Sequence, residues 1–242
     1  MKLIVALSLS FLFIFFQSNI VYSQAAANGA SLKNFEDLYN SNITSGFESD
    51  NLKKGTPYFM DKWWISRLIF PDSTVFNKDV QTKLDINRGI LFIKNKKGEA
   101  IGVQPSKILA VELIDENGDK HLFKLFQIRQ NQPVDYCEVI FESEKMKLIV
   151  FHSKYFKHAE TEQHGMETET IPDHYETYAD AYYIKVGNDS FKKMGNSRND
   201  FIEQFSNAKQ INLKEFCKKN DISKRLDGAT AQKLCAYANS IL

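Results

Sequence analysis

Cysteine is scarce in this sequence, and the three present, Cys137, Cys217 and Cys235, form no Cys-x-x-Cys pair. That excludes a thioredoxin-like redox motif and leaves a thiolate zinc cluster without ligands. Proline is also sparse, and two of the five, Pro105 and Pro133, fall between apolar runs, where a missing N–H removes no ladder bond. Neither sign of charge is in excess, with 31 basic against 30 acidic side chains, so electrostatics give no case for a nucleic-acid partner. A Gly-x-Ser-x-Gly elbow, a phosphate-binding glycine loop, His-Glu-x-x-His and a dinucleotide fingerprint are all absent. No cofactor is expected. Long hydrophobic runs are missing except for Leu3 to Phe16, whose fourteen residues fall short of the roughly 20 that span a bilayer.

That run follows Met1-Lys2 and leads to Val21-Tyr-Ser23, the layout of a signal peptide over residues 1–23, with Gln24 as the mature N-terminus. The polar exit Gln17-Ser18-Asn19 argues against an uncleaved anchor, and the lack of a nearby Cys argues against a lipoprotein. The mature chain is expected to be exported and soluble, periplasmic or secreted. Removing residues 1–23 takes away Lys2 alone and leaves the charges balanced. In an oxidising compartment a Cys217–Cys235 bridge between two helices is conceivable, although the odd count weakens a disulfide framework. Cys137 reads as a small buried hydrophobe.

What is present is a succession of short apolar runs between Tyr58 and Tyr155, each closed by a turn signal. Leu109, Val111 and Leu113 alternate with Ala110 and Glu112 before Asn117-Gly118, which predicts a hairpin with a two-residue turn. Asn95-Lys-Lys-Gly98 closes Ile90–Lys94 onto Ala100–Val103, and Ser143-Glu-Lys145 joins Tyr136–Phe141 to Met146–Phe151. Ala181–Val186 resumes a strand, and Gly187-Asn-Asp189 turns it toward Phe191–Met194. Ser31 as N-cap with Leu32, Phe35, Leu38 and Tyr39 predicts a short N-terminal helix. Capping-box spacings at Ser197-x-x-Asp200 and Asn212-x-x-Glu215 start two helices, and a third is expected over about 230–241. The predicted fold is mainly β, α+β overall: an antiparallel meander curved into a sandwich or partly open barrel. Residues 24–54 form a leader with a short helix and loop, 55–195 the β domain, and 196–242 helices packed on the sheet.

Gly55-Thr-Pro-Tyr58, Lys83-Leu-Asp85 and Tyr136-Cys-Glu-Val-Ile140 before Lys147-Leu148 resemble the landmarks of a diffuse group of uncharacterised secreted proteins from Bacteroidetes-type bacteria. In that group the middle landmark is Arg-Tyr-Asn or Arg-Tyr-Asp, so Lys83 and Leu84 depart from it. The resemblance covers about residues 55–155 and implies secretion, with no established activity to carry over.

Four of the five histidines, His152, His158, His164 and His174, fall among Glu160, Glu162, Glu167, Glu169 and Asp173. Imidazole and carboxylate are zinc-type ligands, which makes these histidines the candidate metal set, although their spacing fits neither one helical face nor a zinc signature. The plainer expectation is a solvated, metal-free loop between two strands. Of the Trp63-Trp64 pair, Trp64 is expected in the core, and Trp63 either covers an edge or offers a platform to a sugar or polymer. Glu142 and Glu144 share a strand face beside a turn, where solvated carboxylates are expected. Two function classes remain: a non-catalytic exported binding module for protein, lipid or polysaccharide at the cell envelope, and a metal-dependent or hydrolytic enzyme using the 152–174 segment.

Overall fold

Side chains along Trp64–Ile69 alternate buried and exposed, and this strand, β1, lies inside the main sheet between β2 and β5. The computed structural model describes residues 35–40, 54–103, 107–128, 134–164 and 167–242. The expected signal peptide over 1–23 and most of the 24–54 leader lie outside these residues. β1 continues into β2 (Val75–Asp85), β3 (Ile90–Lys94) and β4 (Ala100–Val103), a first antiparallel meander. A second runs through β5 (Ala110–Ile114), β6 (Lys120–Phe126), β7 (Asp135–Glu142) and β8 (Met146–Phe151). The succession is not one unbroken meander: β5 pairs with β1 rather than with β4, so the two meanders join back to back.

After β8 the chain leaves the sheet. It builds β9 (Lys154–Lys157), β10 (Glu160–His164), β11 (Glu167–Ile171) and β12 (His174–Thr177), then returns as β13 (Ala181–Val186) beside β8 and β14 (Lys192–Met194) at the edge. The segment expected to be a loop is therefore a two-stranded arm, β9 against β12 and β10 against β11. Its outer strands, β10 and β11, are polar, without the apolar alternation by which strands are recognised. The ten-stranded sheet is open, in the order β4-β3-β2-β1-β5-β6-β7-β8-β13-β14. The described part of the N-terminal helix, α1, covers 35–40. α2 (Arg198–Ile202), α3 (Asn207–Lys219) and α4 (Gly228–Ile241) follow the sheet. Ser197 and Asp200 form the expected capping box, whereas Asn212 lies inside α3, which starts earlier, after Ser206.

Turn chemistry sets the registers. Asp115 Oδ1 accepts from the backbone N–H groups of Asn117 and Asp119, each at 2.8 Å, and the Asp115 N–H donates to Asp119 O at 2.9 Å, which leaves a three-residue loop over 116–118. Only Gly118 takes positive φ, at 86°, so the expected two-residue turn with Asn117 also at positive φ is not the one formed. Asn95 repeats the device ahead of Gly98. A side chain at position 118 would meet nothing within 4 Å, so Gly118→Val acts through backbone strain alone. It should lower unfolding free energy by about 1–2 kcal/mol in denaturant titration.

One row of side chains crosses eight strands: Phe76, Leu68, Val111, Phe123, Glu138, Val150, Tyr182 and Met194 are successive cross-strand partners. On one side of Glu138 the row lies in a core that Phe35 of α1 helps to close. On the other, Met146, Leu148, Ile184 and Met194 pack under α2–α4 through Phe201, Leu213, Leu234 and Ala238. The opposite face buries Cys137, Ile149 and Tyr183. Leu109 is exposed, contrary to the expected alternation, because the strand begins at Ala110, which is itself buried. Val111→Ala should cost about 2 kcal/mol in the same titration. Glu112→Ala should cost about 1 or less, since its partners Lys120 and Arg67 are half exposed. Cys217 and Cys235 are both buried with free thiols, so the conceivable bridge is absent.

Candidate functional site

The row's single charged member is where three strands bring chemistry together. Glu138 faces Phe123 on β6 and Val150 on β8, and a strand period of two puts His121 and His152 diagonally beside it on the same face. Glu138 Oε1 lies 2.7 Å from His121 Nδ1, and Oε2 lies 2.8 Å from His152 Nε2. His152 Nδ1 reaches Asp180 Oδ1 at 2.7 Å, completing the chain His121–Glu138–His152–Asp180. Phe59 covers it, with its ring 5.8 Å from His121, 4.9 Å from Phe123 and 5.0 Å from His152. Trp64 sets its ring edge-on to His121 at 5.7 Å.

The geometry fixes the protons. With carboxylates at both ring nitrogens, His152 must donate from each, which makes it an imidazolium. Burial opposes its charge, but the hydrogen bonds to Asp180 and Glu138 outweigh burial and raise its pKa to about 9. Burial likewise opposes the Glu138 carboxylate, and the bonds from His121 and His152 bring its pKa down to about 2. His121 is raised by its bond to Glu138, against burial. Its Nε2 has no hydrogen-bond partner among the described residues, and the side chain is 31% exposed. The chain, a hydrogen-bond relay, thus sets the Glu138 carboxylate against the His152 imidazolium between the two cores, with His121 and Asp180 at its ends.

Its position matters more than its composition. His152 is the first residue after β8 and Asp180 the last before β13, so their bond ties together the two roots of the arm. Glu138 ties that pair to the sheet. Lys154 Nζ adds a bond to Tyr58 O at 2.6 Å, and Tyr155 stacks on Tyr178 at 4.0 Å. Lys54 bridges to His174, and Gly55 follows against Tyr175, where a Cβ would come within 2.8 Å of Tyr175 O.

The four expected metal histidines are not brought together. His152 is in the relay. His158 is exposed with its ring against Phe156, and His174 bonds Pro172 O at 2.8 Å and Glu176 at 3.1 Å. His164 lies opposite Glu167 at the far end of the arm, six residues beyond His158, which is about 20 Å along extended chain. Zinc ligands sit about 2 Å from a shared ion. No group of three potential ligands is close enough among the described residues. Trp63 is half-buried, 5.0 Å from Lys94 Nζ and 5.9 Å from Lys83 Nζ, while Trp64 is in the core. Glu142 pairs with Lys124 and Lys147. Sequence reasoning missed His121, Glu138 and Asp180; the available signal was a lone Glu inside the apolar run Tyr136–Phe141. Comparison of the chain with protein families, curated proteins and solved structures gives no match.

Proposed function

We propose that this protein is an exported, non-catalytic interaction module that offers its arm to an extended, basic segment of a protein partner at the cell envelope. The observation that carries this reading is the register of the outer arm. Glu160 faces Ile171, Glu162 faces Glu169 and His164 faces Glu167, so a period of two gathers four glutamates on one face. Thr161, Gln163, Thr168 and Thr170 fall on the other.

Acidic residues at opposite register positions, as Glu162 and Glu169 are, favour a cationic partner. From His158 to Ile184 there are seven acidic residues and no Lys or Arg, so the outer strands β10 and β11 supply no Lys or Arg of their own; the arm's lysines, Lys154 and Lys157, lie at its root in β9. β10 and β11 pair only with each other among the described residues, and each therefore keeps one edge that can accept a partner strand. An acidic face repels anionic lipid and acidic polysaccharide, which favours protein among the candidate partners. Export is supported by the expected signal peptide over 1–23 and by the likeness of Gly55–Tyr58 and Tyr136–Ile140 to secreted Bacteroidetes-type proteins. The relay's part is to hold the arm's roots in a fixed geometry.

A fluorescent peptide of alternating Lys and Val tests the reading. It should bind the protein saturably at low salt, and replacing Glu160, Glu162, Glu167 and Glu169 by Gln should weaken binding at least tenfold. Equal affinity for the parent and the fourfold variant would overturn the proposal.

A further inference from the structure

We propose that the hollow between α2 and α3 is a binding site for a tetrahedral oxyanion, the group carried by phosphate and sulfate esters. Independently of the arm, Arg198, Asn199 and Ile202 of α2 and Lys214, Cys217 and Lys218 of α3 enclose about 220 Å³. Three of these six residues are cationic and none is acidic.

The arginine is held in place. Its Nη1 donates to Ile222 O at 2.6 Å and its backbone N–H to Lys224 O at 2.8 Å, which leaves the remaining guanidinium N–H groups for a bidentate contact. Asp200, the nearby acid on α2, is engaged by Ser197, whose N–H and hydroxyl donate to it at 3.1 Å and 2.6 Å. Lys214 and Lys218 stand four residues apart on one face of α3, a destabilising like-charge pair, and neither has an ionic partner among the described residues. A dianion between them and Arg198 removes that repulsion. The volume lies below the roughly 300 Å³ at which pockets for drug-sized ligands begin, so the site fits one oxyanion group and not a whole nucleotide.

Titration calorimetry of the intact protein with inorganic phosphate and, separately, inorganic sulfate tests the site. Saturable one-to-one binding of either supports it, and the tighter of the two assigns the ester class. The Lys214→Gln/Lys218→Gln pair is exposed and leaves the fold intact; it should weaken binding at least tenfold, as should Arg198→Gln, whereas Lys209→Gln should leave it unchanged. Undiminished binding in the folded double-lysine variant would overturn the proposal, as would equal heats from chloride at matched ionic strength.

Discussion

Glu138→Ala should lower the free energy of unfolding by about 3–5 kcal/mol, the range for removing one member of a buried ion pair. Glu138 is 15% exposed and its partner His152 14%, so the substitution leaves an imidazolium largely out of water with Asp180 as its only remaining acceptor. It also deprives His121 of its acceptor. Glu138→Gln keeps the shape but removes the negative charge and replaces one acceptor oxygen with an NH2 donor, so neither histidine keeps a carboxylate at this position. Denaturant unfolding measures the Ala variant. In the Gln variant His152 keeps Asp180 but loses the Glu138 charge, and ring nitrogen NMR should find it giving up its second proton at a lower pH than in the parent.

The second large effect is a stability that falls on both sides of an acidic plateau. His152 ordinarily titrates near 6.5 and is raised to about 9 in the fold. Its contribution is therefore complete below 6.5 and is lost as pH rises through 9. Glu138 ordinarily titrates near 4.5 and is lowered to about 2, so its contribution is complete above 4.5 and is lost as pH falls through 2. Maximum support from the relay lies between those ordinary values, at about pH 4.5–6.5. At 1.36 kcal/mol per pH unit, the alkaline loss is on the order of 3 kcal/mol. The same bond shifts Glu138 and His152, so it is counted once. A His152→Gln variant isolates the effect: the gap in unfolding free energy between parent and variant should narrow by about that amount from pH 6 to above pH 9. A constant gap would mean that His152 carries no extra proton in the fold.

The hairpins were legible because their signals are local. Asn95–Gly98, Asp115–Gly118 and Ser143–Lys145 each close a turn between neighbouring strands, and the strand ends fall where the turn residues place them. The insertion of β1 between β2 and β5 was not legible, since it depends on which strand edges meet and not on any short run of residues. Glu138 was concealed by its own strand. Strand alternation groups Cys137, Val139 and Phe141 on one face and puts Glu138 on the other. Both faces of β7 are covered, with Cys137 and Val139 packing on the far side from the helices, so alternation alone does not name the face. A register shift between Val139 and Phe141 then brings Phe141 back to the face of Glu138, opposite Leu148. His121 and Asp180 lie far from Glu138 in sequence, and only the pairing of β6, β7, β8 and β13 brings them into one chain of bonds.

Amide hydrogen exchange along the arm is the most direct test of the claim that the relay fastens its roots, with the parent compared against Asp180→Ala. The Asp180 side chain is 45% exposed, so the substitution leaves the two cores in place while removing the carboxylate that accepts from His152 Nδ1. Protection at Lys154–Lys157 and His174–Thr177 should fall at least tenfold in the variant while β5 and β6 keep theirs. Unchanged protection in β9 and β12 would contradict that claim.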